Sequence, residues 1–259
     1  ARWLHCPSMT TLTFSPPAVL PDQLLPALSE QGYAVLDARG VAQWLGTAAA
    51  EQLPELNAHW NDLPMDQHLK DGGRYRSRRH GSCVVDGQHV QAVPDRPHWQ
   101  PLAYNALHGG MQRWFAPLPP GLMEHAAFRA LLIALGEVTS ALRGKQPWYV
   151  ESHLFRIDTA DGIGRPTPEG AHRDGVDLVA VFLVARHHIK GGETRVFDAQ
   201  QPHGLRFTLA EPWSLLLLDD QRVIHESTPI QPLDAQEPGW RDTLVITLRS
   251  GGFLEDTNP

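Results

Sequence analysis

Between Trp148 and Phe253 the chain is cut into short apolar pieces at close intervals, and no other feature restricts its fold as much. The pieces are Trp148–Ile157, Ala171–Ala185, Glu193–Asp198, Leu205–Leu209, Ser214–Leu218, Arg222–Ser227 and Arg241–Arg249. Turn-forming clusters separate them: Lys190-Gly191-Gly192, Pro202-His203-Gly204, Glu211-Pro212, Asp219-Asp220-Gln221 and Glu237-Pro238-Gly239. Many short strands at this spacing predict a mainly β architecture, a sandwich or jelly roll. The last strand alternates with a period of two. Arg241, Thr243, Val245, Thr247 and Arg249 share one face, and Asp242, Leu244, Ile246 and Leu248 share the other. The Leu/Ile/Leu face asks for packing, and the Arg/Thr/Thr face looks toward something polar.

The part before Trp148 reads as mixed, with helices. Asp22–Gln31 predicts a short helix stopped at Gly32, followed by a strand over Gly32–Asp37 and a helix over Val41–Leu53. The strongest helix is Glu124–Arg143, where Phe128, Leu131, Leu132, Leu135, Val138 and Leu142 form one apolar stripe. Arg143 falls in its last turn, and Gly144 stops it. This helix is expected to cover one outer face of the strands. With 259 residues the chain is read as one domain, 1–259. Its helix-containing part, 1–147, packs on a jelly-roll core, 148–253.

The net charge of −7 argues against a nucleic-acid binder. No apolar run approaches the roughly 20 residues of a membrane helix. The two cysteines, Cys6 and Cys83, rule out a disulfide framework or a cysteine-rich zinc site. A signal peptide is not expected, so the expected location is the cytoplasm, and Met9 is a candidate natural start behind an extension, Ala1–Ser8.

His172-Arg173-Asp174 opens an apolar strand-like run. Two residues apart on a strand, His172 and Asp174 share a face. One imidazole and one carboxylate make two of the three ligands of the two-His-one-carboxylate triad of non-haem Fe(II) sites. A lone His-x-Asp is weak evidence, since chance supplies about one in a chain of this composition. Its setting is what counts. Further strands follow, and Val223-Ile224-His225-Glu226-Ser227 places a lone histidine in an apolar strand. Sixteen residues later stands Arg241 on the polar face. A buried guanidinium is costly without an anion. A dicarboxylate would supply one, held bidentately by Arg241 beside the Thr243 hydroxyl.

In that order, His172-x-Asp174, His225 and Arg241-x-Thr243 resemble the Fe(II)/2-oxoglutarate-dependent dioxygenases. The strings Pro168-Glu169-Gly170-Ala171-His172-Arg173-Asp174-Gly175, Gly191-Gly192-Glu193-Thr194 and Arg241-Asp242-Thr243-Leu244-Val245 resemble the bacterial branch of free-amino-acid hydroxylases that includes L-isoleucine dioxygenase. The resemblance covers roughly residues 70–250. It implies a double-stranded β-helix, cupin-like, with iron held by His172, Asp174 and His225 and with 2-oxoglutarate gripped by Arg241 and Thr243. It also implies oxidative decarboxylation to succinate and CO2 coupled to hydroxylation by O2 of a small molecule, an L-amino acid first, with ascorbate as a supporting reductant and a homodimer as one possible assembly. Two other readings stay open: a dioxygenase of protein or peptide side chains, and a non-enzymatic metal-binding jelly roll.

Arg74–His80 is the densest charge run, and its bland reading is a solvated loop. In this family the corresponding segment lies near the substrate, so Arg76 and Arg78 are candidates for a substrate carboxylate. Arg156, which shares a strand face with Ser152 while His153 faces the other way, is a further candidate. The Gly/Pro-rich stretch Asp158–Ala171 is positioned as a lid. His187-His188 is expected at the surface, Cys83 to be inert, and Trp99, Trp114 and Trp148 to pack, with any of them able to wall a pocket.

Overall fold

The computed structural model describes residues 14–105, 107–234 and 236–255; Cys6 and Met9 lie outside them. Its helices are α1 (Leu24–Gln31), α2 (Ala38–Leu45), α3 (Thr47–Ala50) and α4 (Ala126–Arg143), with 3-10 turns at Pro21–Gln23 and Leu53–Trp60. The strands are β1 (Tyr33–Leu36), β2 (Arg76–Asp86), β3 (His89–Ala92), β4 (Trp148–Asp158), β5 (Leu178–His187), β6 (Ile189–Gly191), β7 (Thr194–Asp198), β8 (Gly204–Phe207), β9 (Leu215–Asp219), β10 (Val223–Ser227), β11 (Ile230–Pro232) and β12 (Trp240–Arg249). A seven-stranded sheet runs β1-β9-β5-β12-β4-β2-β3. A three-stranded sheet, β10-β7-β8, and a two-stranded ribbon, β11-β6, complete the architecture. All strand pairs are antiparallel. The fold is mainly β with a few helices, in a jelly-roll-like arrangement.

Strands β5 and β9 are buried on both faces over Leu178–Val184 and Leu215–Leu218, and both stretches are therefore apolar at every position. Leu178, Ala180, Phe182 and Val184 of β5 pack outward with Leu215 and Leu217 of β9, Leu244, Ile246 and Leu248 of β12, and Phe128, Leu131, Leu132 and Leu135 of α4. Val179 and Leu183, with Leu216 and Leu218, pack inward against Val196, Phe207 and Val223 of the three-stranded sheet. The helix stripe predicted from spacing is thus the cover of the outer face. Each fully buried leucine there contributes roughly 1.5–3 kcal/mol.

Several boundaries differ from expectation. Helix α4 starts at Ala126 rather than Glu124, because His125 is extended and its Nδ1 accepts from the Ala127 amide at 3.3 Å. The expected helix Val41–Leu53 is broken at Gly46, which has φ +85°, and continues as a 3-10 turn around Pro54. The run starting at Ala171 becomes a strand only at Leu178. Strands β2 and β3 fall where no strand was expected. The N-terminal part therefore does more than cover the core: β1 extends the large sheet at one edge and β2-β3 at the other. No helix among the described residues is long and apolar enough to cross a membrane.

Candidate metal centre

His172, Asp174 and His225 come from two places that one isolated bridge joins. The His172 amide donates to the His225 carbonyl at 3.0 Å, and the return bond is 2.9 Å. His172 Nδ1 donates to the Gly170 carbonyl at 2.9 Å, which turns Nε2 toward Asp174. Nε2 of His172 then stands 3.8 Å from Asp174 Oδ1, and Nε2 of His225 stands 3.8 Å from Oδ2. One ligand atom from each residue fits within 4.8 Å of the others, so the three could hold one ion. Two imidazoles and a carboxylate suit Fe(II). Burial, joined by the neighbouring His172, lowers His225 to about 4, so it is neutral and able to ligate. Burial also opposes charge on His172, but Asp174 and Glu169 outweigh it and raise its pKa.

Asp174 is not on a strand. Asp220 fixes its position by accepting from the amides of Asp174 at 3.0 Å, Gly175 at 2.7 Å and Val176 at 3.0 Å. Burial and the nearby Asp174 raise Asp220 to about 7, against those three donors. Gly175 turns the chain at φ +80°, and a Cβ there would stand 2.5 Å from the Tyr104 ring. On the side chain, Gln100 Nε2 donates to Asp174 Oδ1 at 3.0 Å. Gln100 Oε1 in turn accepts from Asn105 at 3.1 Å and Arg113 at 2.9 Å.

The trio opens on a cavity of about 130 Å³ between the sheets. Arg241, Thr243, Val245 and Thr247 line it from β12, so the polar face read from the period of two does face a cavity. A bulge between β5 and β12 falls at Asp242/Thr243, beside those residues. Arg241 is 4% exposed, and its Nε has no hydrogen-bond partner among the described residues. Burial, then the nearby Arg186, lowers its pKa to about 10. A guanidinium in this state fits an anionic ligand.

Arg76 and Arg78 also line the cavity, from the inward face of β2 rather than a loop. Arg76 Nε donates to Asp66 at 2.8 Å. Arg78 Nη2 donates to His153 Nδ1 at 2.6 Å, and its guanidinium lies 3.7 Å from the Phe115 ring centroid. Arg156 does not join them. It lies on the opposite face of β4 and makes a bidentate pair with Asp242 at 2.8 and 2.7 Å. The face of β4 that meets the cavity carries Glu151, His153, Phe155 and Ile157. None of Trp99, Trp114 and Trp148 lines the cavity. His187 and His188 pair at the surface with Glu237 and Asp234. Cys83 is buried, and burial pushes its thiol up to about 12. The 158–171 stretch contributes Pro166, Thr167 and Glu169 to the wall and is tied down at Gly164 and Thr167 by bonds to Ile230 and Ser227.

Sequence reasoning missed a second buried group, His80, His98, Glu151 and His153, which also could hold an ion by distance. Both carboxylate oxygens of Glu151 are already occupied, by His80 Nε2–H and His98 Nδ1–H at 3.1 Å each. His153 stacks on His80 with ring centroids 4.7 Å apart. Arg78 and Arg113 close by oppose a dication. Burial lowers His98 to about 4 and His153 further. Burial opposes charge on Glu151 too, but the two histidines outweigh it and hold the carboxyl far below its usual range.

Residues 57–247 match the family described as 2OG-Fe dioxygenase. No curated protein matches the chain. A bsmA homolog from Methylobium petroleophilum PM1 is 50% identical, with a TM-score of 0.86 over 93% of this chain and 97% of its own. IDO from Bacillus thuringiensis, at 15% identity, has a TM-score of 0.72 over 91% and 100%. The Fe(II)/(alpha)ketoglutarate-dependent dioxygenase TqaL, at 20% identity, has a TM-score of 0.66 over 92% and 91%. The last two share the fold at low identity.

Proposed function

The chain belongs to the 2OG-Fe dioxygenase family, and from that premise we propose that it hydroxylates a free L-amino acid. As a member it uses Fe(II), 2-oxoglutarate and O2, which sets aside the non-enzymatic jelly roll. In this reading His172, Asp174 and His225 hold the iron. Arg241, with the Thr243 hydroxyl, holds the distal carboxylate of 2-oxoglutarate. Iron and 2-oxoglutarate, when bound, supply oxygen activation, with succinate and CO2 as the co-products. Gln100 holds the Asp174 carboxylate and Asp220 holds the backbone that carries it. Arg76 and Arg78 face a substrate carboxylate.

The observation that carries the reading is Arg241: a buried guanidinium lacking a carboxylate partner, opening on the same cavity as the trio. The test is succinate formation from 2-oxoglutarate under air, with Fe(II) and ascorbate, with and without a pool of L-amino acids, read by mass spectrometry. Succinate that rises with one amino acid, itself gaining one oxygen, is expected, and His172→Ala should abolish it. Folded, metal-loaded protein that forms no succinate would overturn the assignment.

A further inference from the structure

Two charged groups on the cavity wall are left over once the iron and 2-oxoglutarate ends are accounted for. Glu169 reaches toward the trio, with Oε1 3.6 Å from His172 Nε2. Its other oxygen, Oε2, is buried and has no hydrogen-bond partner among the described residues. Glu169 does not lie close enough to Asp174 and His225 to belong to the group that could hold an ion. Arg113 is 2% exposed. It spends Nη2 on Gln100, and its Nε is likewise buried and unpartnered. Both residues line the same cavity, and they lie close enough for the Glu169 charge to act on the Arg113 guanidinium. An unmatched acceptor and an unmatched donor, on the same cavity as a metal-binding trio, ask for a ligand that carries both a cation and an anion.

The charge balance of the wall agrees. Arg76 is paired with Asp66, which stands behind the wall rather than in it; that leaves Arg78 and Arg113 as cations against Glu151 and Glu169 as anions, while burial keeps His98 and His153 neutral. A wall already balanced takes a molecule of zero net charge more readily than a second dianion. The 2-oxoglutarate end is built differently, with Arg241 and Arg186 and no carboxylate paired to Arg241. The same lining also carries apolar residues: Phe155, Ile157, Val176, Val181 and Val245.

We infer that Glu169 and Arg113 grip the zwitterionic head of an aliphatic α-amino acid, Glu169 Oε2 accepting from the ammonium and Arg113 Nε donating to the carboxylate. Nη2 of Arg76 and Nε of Arg78, also buried and unpartnered, are further donors on the carboxylate side. The inference rests on the amino-acid reading above and names what discriminates amino acids from other acids. The des-amino acid leaves Glu169 unmatched, and the amine leaves Arg113 unmatched; each should bind worse than the intact zwitterion.

The test is calorimetric binding to anaerobic enzyme loaded with Fe(II) and 2-oxoglutarate, using L-isoleucine, 3-methylpentanoic acid and 2-methylbutylamine. Wild type should bind L-isoleucine tightest. Glu169→Gln should weaken L-isoleucine about 10- to 100-fold, as expected for losing a hydrogen bond to a charge. The same variant should leave 3-methylpentanoic acid within about twofold and keep one iron per chain. Arg113→Gln should weaken both acids and leave the amine unchanged. Unaltered L-isoleucine binding in Glu169→Gln would overturn the inference, as would equal weakening of the des-amino acid or loss of iron. Succinate formation separates the two levels. If no L-amino acid stimulates it, the functional reading has failed as well. If one does and Glu169→Gln still binds it normally, only this inference has failed.

Discussion

Replacing Arg241 by Met should make the protein sturdier when empty and unresponsive to 2-oxoglutarate. In the folded chain burial and Arg186 lower the Arg241 pKa from 12.5 to about 10. At 1.36 kcal/mol per unit, the fold opposes the charged form by about 3 kcal/mol. Met keeps most of the packing of the arginine stem and removes the unpaired charge. The gain in stability of the ligand-free protein should be about 1–3 kcal/mol, the lower end allowing for imperfect packing. In a chain of this size that raises Tm by about 2–10 °C. Wild type should recover the difference on binding, since a ligand at 100 times its Kd stabilises by about 2.7 kcal/mol. The assay is a melting curve of metal-loaded protein under nitrogen, with and without 2-oxoglutarate. Wild type should melt lower when empty and rise with 2-oxoglutarate, and Arg241→Met should melt higher and not move. An empty variant no more stable than wild type would show that Arg241 is not short of a partner in solution. A variant still stabilised by 2-oxoglutarate would show that the acid is held elsewhere.

Asp174→Ala and His225→Ala should each reduce bound iron from one per chain to less than about a tenth while leaving the circular dichroism spectrum intact, as loss of one of three ligands requires; a full complement of iron would refute the trio. Gly175→Ala puts a side chain at φ +80° and a Cβ 2.5 Å from Tyr104; it should cost at least about 1–2 kcal/mol and lower iron affinity, and an unchanged Tm would refute the packing argument. Acid should destabilise the metal-free fold early. His98 is held at about 4 against an ordinary 6.5, so between those values the unfolded chain binds a proton that the folded chain refuses, and stability falls as pH falls. His98 alone accounts for about 2 kcal/mol at pH 5, with His108 and His225, also held at about 4, adding to it. A Tm constant from pH 7 to pH 5 would contradict the buried, neutral histidines.

How much of this could be read from the sequence depended on whether a residue's burial agreed with its polarity. Strand β12 was legible because its leucines and isoleucine alternate with hydroxyls and an arginine, and its two faces do point to a core and a cavity. The strand β2 was not, although it alternates equally well. Its inward residues Arg76, Arg78 and His80 are the kind that normally face water. What makes their burial tolerable is Asp66 and Glu151, partners 10 and 71 residues away whose pairing no periodicity reports. Arg156 was mistaken for a cavity residue on an unresolved choice between two faces of β4, and the answer was set by Asp242 on the neighbouring strand. Asp220 read as a turn residue, and its three amide bonds to the His172–Val176 segment appear only when residues 46 positions apart meet. Gln100, Asn105 and Arg113 come from a stretch without regular periodicity, where no pattern separates a ligand's support from an ordinary loop.

Strand β12 lies between β5 and β4 near the middle of the large sheet, with the cavity under its odd positions and α4 over its even ones. A scan of single substitutions from 240 to 249 should therefore sort by parity. Changes at Leu244, Ile246 and Leu248 would be lost as unfolded protein, whatever the assay. Changes at Arg241, Thr243, Val245 and Thr247 would survive as well-behaved proteins with altered ligand preference. Selection acting on this strand can thus explore new co-substrates at every second residue without renegotiating the packing that holds the sheet to its helix.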